Sequence, residues 1–337
     1  MAARLQVNPH YFPTVREEGY ERFKRLMKKD DAWSEKNGSI ELGFFASTWA
    51  PTGSADVLQF DEGHLKSDST ASHKAIATMT DIMNGTLRIV EHATMNPLSY
   101  LFQTVGDRVR EGSSDSVYGR FKALHEHYFE GLILQVKDAE AGRLPKHPKR
   151  TRLSQVPDPH RWSLSGIPDQ YGEGVDIPEH AYHHPSVQKI MHISAEIITL
   201  ANDIASFKKD QLTGVNFNII KVLQQTDGGL SVQQAMDKAS VMLDDCYRRW
   251  YLALAEMPIW GEEKDSQVLR YIDICRNVAL GCLHWSFMTE RYLGKAQGEE
   301  VRRTRKLWLV GSRSGQYVAT LDRERAEMAS LYADIAR

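Results

Sequence analysis

Apolar residues recur along most of this chain at three- and four-residue intervals, while the strict alternation that marks a half-buried strand is nearly absent. This periodicity predicts helices over roughly 14–29, 71–93, 97–112, 115–141, 186–211, 215–226, 231–256, 263–294 and 317–335. The punctuation agrees with it. Pro97 opens one helix, Thr213-Gly214 closes another, and Asp227-Gly228-Gly229 separates two more. Between Gly142 and His184 six prolines leave the least regular stretch. No internal repeat, linker or shift of composition marks a boundary, so the expected architecture is all-α, one helical domain over residues 1–337.

One predicted helix differs from the rest in its distribution of polarity. Val187, Ile190, Met191, Ile193, Ala195, Ile197, Ile198 and Leu200 make its approach apolar over most of the surface, as in a core helix. It then carries Asn202, Ser206 and Asp210 at four-residue spacing, which places an amide, a hydroxyl and a carboxylate on one face. Polar residues at that spacing also describe an ordinary solvated face. Against that reading, Asn202 and Asp203 at the end of a buried helix cost desolvation free energy unless something polar or charged is bound there. Three hard oxygen donors suit magnesium better than zinc or copper. Lys208 and Lys209 stand beside them, and a cation next to a metal-ligating row makes sense if an anion such as a diphosphate is shared between the two.

Composition narrows the partner. Lys and Arg number 42 against 44 Asp and Glu, a balance that favours neither nucleic acid nor an anionic membrane surface. Cys246, Cys275 and Cys282 lie in helical contexts without metal-ligand spacing and read as reduced thiols. With no hydrophobic leader and no bilayer-length apolar run, the expectation is a soluble cytoplasmic protein, monomeric or homodimeric, acting on a small molecule.

A second group stands about ninety residues further on, in the run His284-Trp285-Ser286-Phe287-Met288-Thr289-Glu290-Arg291-Tyr292. An arginine and a phenol at the mouth of an apolar bundle can clamp phosphate oxygens while Trp285 lines the interior, although for Trp285 plain core packing explains the residue equally well. Two acidic pairs read instead as surface charge. Asp30-Asp31 follows Lys28-Lys29, and Asp244-Asp245 has Arg248 and Arg249 one turn along.

With both groups in order, the chain resembles the class I terpene synthases of fungi and bacteria, the sesquiterpene cyclases, over nearly its whole length. That family's second metal motif, Asn-Asp-x-x-Ser-x-x-x-Glu with a following Gly and Asn, fits Asn202-Asp203, Ser206, Asp210, Gly214 and Asn218, with Asp in place of Glu. Its C-terminal Arg-Tyr pair fits Arg291-Tyr292. The resemblance implies a class I terpenoid synthase helical bundle that binds an isoprenoid diphosphate, farnesyl diphosphate above all, through three Mg2+ ions. It ionises the substrate and cyclises the allylic cation in an aromatic cavity. By the same carry-over, Asn202, Ser206 and Asp210 hold metal, while Lys209, Arg291 and Tyr292 contact diphosphate. Arg161, in His160-Arg161-Trp162-Ser163-Leu164-Ser165-Gly166, is the candidate diphosphate sensor, though Trp162 replaces the second arginine of the family pair. A surface arginine in a proline-rich loop is the other reading of Arg161.

The first aspartate-rich motif is incomplete. Where the family carries Asp-Asp-x-Phe-Asp-Glu-Gly-His after an apolar run, this chain passes from Ala55-Asp56-Val57-Leu58-Gln59 directly into Phe60-Asp61-Glu62-Gly63-His64. Part of one core helix is missing at residues 59–60, with the first two aspartates. Asp61 and Glu62 are the remaining candidates for metal binding on that wall, and Asp61 for catalysis. The shortened motif leaves two expectations, an active cyclase or a catalytically impaired relative that binds the diphosphate without turnover.

Overall fold

A computed structural model of the chain describes residues 60, 65–89, 97–142, 174–212, 214–215, 218–226, 228–304 and 306–307. Among these residues the secondary structure is helical and holds no strand. The expected helices over 14–29 and 317–335 lie outside the described residues, as do Asp61, Glu62 and Arg161.

Local chemistry sets the helix ends. The first described helix, α1 (Ser69–Asn84), starts where the Asp68 carboxylate accepts the Ala71 N–H and stops at Gly85, whose φ of 75° suits a residue without Cβ. The periodicity that extends this helix to residue 93 is therefore overruled by one glycine. The next two are α2 (Pro97–Gly112) and α3 (Asp115–Glu140), the latter capped by the Ser114 hydroxyl. After a single turn, α4 (Glu179–Tyr182), comes the 28-residue α5 (Pro185–Leu212), then α6 (Ile219–Thr226). In α7 (Val232–Ala255), Ser231 and Gln234 form a reciprocal capping box.

The expected helix over 263–294 is two. α8 (Glu262–Met288) ends at Thr289, whose backbone is extended (φ −64°, ψ 140°), and α9 (Glu290–Thr304) begins directly after it. Thr289 holds both sides of the break: its N–H donates to the Trp285 carbonyl at 2.8 Å, and its hydroxyl accepts the Arg291 N–H at 3.2 Å. A second break follows at Gly294, with φ 67° and ψ 171°, a region open in practice to glycine. The apolar period runs through both breaks unchanged, which is why it does not reveal them.

Two hydrophobic clusters form the core. One is built from α1, α2 and α3 around Phe102, Phe121, Leu124 and Phe129. The other surrounds α5, which packs against α6, α7, α8 and α9 and is buried almost all round through Phe207. Arg120 of α3 reaches from the first cluster to the second. Its guanidinium donates to the Ile177 carbonyl (2.7 Å) and to Glu179 (2.6 Å), and lies 4.3 Å from the centre of the Tyr182 ring.

His125 sits inside the first cluster with its ring among Phe102, Phe121 and Phe129. Burial lowers its pKa to about 4, only partly offset by the hydrogen bond to the Phe121 carbonyl. Below pH 6.5 the unfolded chain protonates this imidazole and the folded chain does not, so stability falls as pH drops from about 6.5 towards 4. The expected loss between pH 7 and pH 5 is about 2 kcal/mol from this residue. Urea unfolding at the two pH values, compared with His125→Gln, should show that the variant loses this part of the dependence.

The three cysteines are free and buried, as their helical setting suggests. Burial holds the thiols of Cys246 and Cys282 up at about 12. No described helix is long and apolar enough to cross a membrane.

Candidate active site

The C-terminal half of α5 is buried although it is polar. Asp203, Ser206, Lys208, Lys209 and Asp210 are all less than a tenth exposed, and Asn202 is half-buried. Burial at this level requires partners. They come from the start of α6 and from the chain after the break at Thr289.

Asp210 is the centre of the arrangement. Its Oδ2 accepts the Ser206 hydroxyl at 2.8 Å and the Asn218 amide at 2.9 Å, while its Oδ1 lies 2.8 Å from the Lys209 ammonium. Gly214 makes the turn that brings Asn218 back over the helix: with φ 70° it ends α5, and the Val215 N–H returns to the Asp210 carbonyl. Asn218 is fixed in three directions. Besides Asp210, its amide donates to the Asp203 carbonyl (2.8 Å), and its own carbonyl accepts the Ile220 N–H (2.9 Å). The Asp203 carboxylate accepts the Ile219 N–H at 2.8 Å, placing negative charge at the N-terminus of α6. Of these two buried carboxylates, about two helical turns apart, Asp203 is thus tied to the backbone, and Asp210 faces the polar row.

The second group closes on the first from above. Tyr292 hydroxyl accepts the Asn202 amide at 2.7 Å, which leaves the Asn202 carbonyl as the donor that row can offer a metal. Tyr292 packs edge-on to Trp285, with the Lys209 ammonium 5.9 Å and the Arg291 guanidinium 5.4 Å from its ring centre. Burial pushes the Tyr292 phenol up to about 12, against the pull of Arg291 and Lys209, so it stays protonated and able to donate. Lys208 donates to Gln297 at 2.8 Å and so ties α5 to α9. Asn202, Ser206, Lys209, Asp210, Trp285, Arg291 and Tyr292 are all brought together as the sequence suggests. Asn218 is known from the sequence only as a motif match. Its anchoring of Asp210 is visible only in three dimensions.

The donor set fits a hard divalent cation: an amide carbonyl, a hydroxyl and a carboxylate on one helix face, with the Lys209 ammonium directly beside the carboxylate. The Asp244-Asp245 pair does not compete. Asp245 is held by Arg248 and Arg249, each at 2.7 Å, and Arg249 reaches on to Glu196. No group of three or more His, Cys, Asp or Glu converges anywhere among the described residues, so the amide and hydroxyl of this row are what distinguish it.

An all-helical fold whose polar ladder is buried opposite an arginine and a tyrosine defines the class I terpenoid synthases. The chain belongs to the terpene synthase family: residues 59–249 match the model described as "Terpene synthase family 2, C-terminal metal binding". It is 38% identical to (+)-eremophilene synthase of Gibberella fujikuroi, covering 91% of this chain and 89% of the relative. With (1R,4R,5S)-(-)-guaia-6,10(14)-diene synthase of Fusarium mangiferae it shares 36% identity, over 91% of this chain and 82% of that one. The alignment to the Gibberella enzyme runs over 326 positions, more than 91% of 337 residues can fill, so the relative has residues with no counterpart here. The crystal structure of α-eudesmol synthase shares the fold at a TM-score of 0.67 and 18% identity, covering 86% of this chain and 98% of that one.

Proposed function

We propose that this terpene synthase is a Mg2+-dependent sesquiterpene cyclase that ionises farnesyl diphosphate, releases diphosphate and cyclises the resulting cation. The observation that carries the reading is the convergence of Asn202, Ser206 and Asp210 with Lys209, Arg291 and Tyr292 in one buried polar site. The sesquiterpene products named for its relatives support the chain length.

Each side chain has a task in that chemistry. Asn202, Ser206 and Asp210 would hold one Mg2+, and Asp61 with Glu62 would offer further oxygens. A magnesium ion held by these residues would supply positive charge that offsets the charge of the leaving diphosphate. Lys209, Arg291 and the protonated Tyr292 donate to diphosphate oxygens as charge develops on them, with Arg161 as a further contact. The Trp285 and Tyr292 rings close the apolar side of the site, where aromatic faces tolerate a cation and exclude water. Three Mg2+ ions and a cytoplasmic monomer or homodimer complete the reading.

Purified protein incubated with farnesyl diphosphate and Mg2+ should release a volatile hydrocarbon or alcohol detectable by gas chromatography, and chelation with EDTA should abolish it. Absence of product, with farnesyl diphosphate still raising the melting temperature, would identify a diphosphate binder without turnover. Absence of both would refute the reading.

A further inference from the structure

The inner face of α7, with Ala235, Ala239, Cys246 and Ala253 buried, packs against α5 and α6. A second stripe on this helix looks outward. Lys238, Val241, Asp245, Arg248, Leu252 and Ala255 follow one another at alternating intervals of three and four residues, the spacing of a seam between two helices. Val241 is 67% exposed, Leu252 49% and the neighbouring Tyr251 68%. One exposed Val or Leu on a surface needs no explanation, but two apolar residues closing the ends of a seam, with opposite charges between them, form a pattern that can be read for its partner.

The order of residues along the stripe says what that partner is. The stripe is symmetric about the point between Cys246 and Tyr247: Val241 and Leu252 stand at equal distances on either side of it, and so do Asp245 and Arg248. Two copies of α7 laid antiparallel therefore bring Val241 onto the partner's Leu252 and Asp245 onto the partner's Arg248, twice over, as an isologous contact requires. Laid parallel, they would set carboxylate against carboxylate and guanidinium against guanidinium. Within one chain Arg248 already lies 2.7 Å from Asp245, with its side chain 64% exposed, so the antiparallel contact extends this pair into a network of four charges. We propose that α7 is the seam of a homodimer, one α7 lying antiparallel on the other about a two-fold axis near Cys246 and Tyr247. The inference is independent of the chemistry at α5. A single helix pair is small beside the ~1,600 Å² of a standard interface, so the expected dissociation constant is on the order of 10 µM.

Sedimentation velocity of the full chain between about 1 and 100 µM tests the seam, and it needs neither substrate nor metal, so its outcome is separate from that of the active-site reading. The wild type should pass from monomer to dimer across this range. Val241→Lys and Leu252→Glu, both at exposed positions, should each weaken dimerisation about tenfold or more, because each sets two charges against apolar side chains. An equimolar mixture of the two variants should dimerise again: in the antiparallel heterodimer the new lysine meets the new glutamate at one end, and Leu252 meets Val241 at the other. A wild type that stays monomeric throughout overturns the proposal, and so does a dimer that neither substitution weakens. Loss of the dimer in both variants without recovery in the mixture overturns the antiparallel arrangement.

Discussion

Asp210→Ala is expected to lower kcat/KM for farnesyl diphosphate by about a thousandfold or more, corresponding to about 4 kcal/mol of lost transition-state stabilisation. The size follows from how many groups depend on one carboxylate. It is the only carboxylate of the α5 ladder that faces the polar row, it aligns Ser206 and Asn218, and it neutralises Lys209. On the proposed reading, alanine removes a metal ligand and the carboxylate 2.8 Å from the buried Lys209 ammonium, so the positions of both metal and diphosphate are disturbed together. Asp210→Glu should behave quite differently. Glutamate is the residue usual in the family at this position, and the extra methylene keeps charge and oxygen, so activity within about tenfold of the wild type is expected. Steady-state kinetics on both variants, with circular dichroism to check folding, separates the outcomes. An alanine variant that turns over at the wild-type rate would remove Asp210 from the site.

Much of this site can be read directly from the sequence, because helical spacing converts position into geometry. Four-residue intervals put Asn202, Ser206 and Asp210 on one face, and the apolar approach through Ile198 and Leu200 shows that the helix is interior. The expected spans for α2, α3, α5 and α7 agree with the observed ones to within a residue at each end. Periodicity fails where a single residue overrides it. Gly85 ends α1 well before the apolar pattern fades, and Thr289 breaks α8 without any change in that pattern. The second of these matters for chemistry, since the chain after the break brings the Tyr292 hydroxyl onto Asn202. The division of labour between Asp203 and Asp210 was equally hidden. It depends on where the Gly214 turn places Asn218 and Ile219, which is a tertiary fact. Asp61, Glu62 and Arg161 lie outside the described residues, and their roles stand on the family resemblance.

Arg120→Met is the substitution expected to cost most stability away from the site, about 2 to 3 kcal/mol. Arg120 spans the two hydrophobic clusters from a side chain that is 4% exposed, whereas its partner Glu179 is 54% exposed. This asymmetry decides what the ion pair contributes. A carboxylate so open to water is screened and recovers its hydration when the arginine is lost, so the charge interaction itself accounts for little. The larger loss is at the buried end, where the Ile177 carbonyl would have no donor in place of Arg120 and the face of Tyr182 would lose its cation. Methionine fills the volume without supplying either. Glu179→Ala, which removes only the exposed partner, should therefore cost less than about 1 kcal/mol. Urea unfolding of the two variants tests the account directly. Equal destabilisation would mean that the ion pair, rather than the carbonyl and ring contacts, joins α3 to the segment leading into α5. That segment sets where α5 begins and hence where the polar row at its other end lies, so a loose joint at Arg120 should also raise KM for the diphosphate substrate without removing any group proposed to touch it.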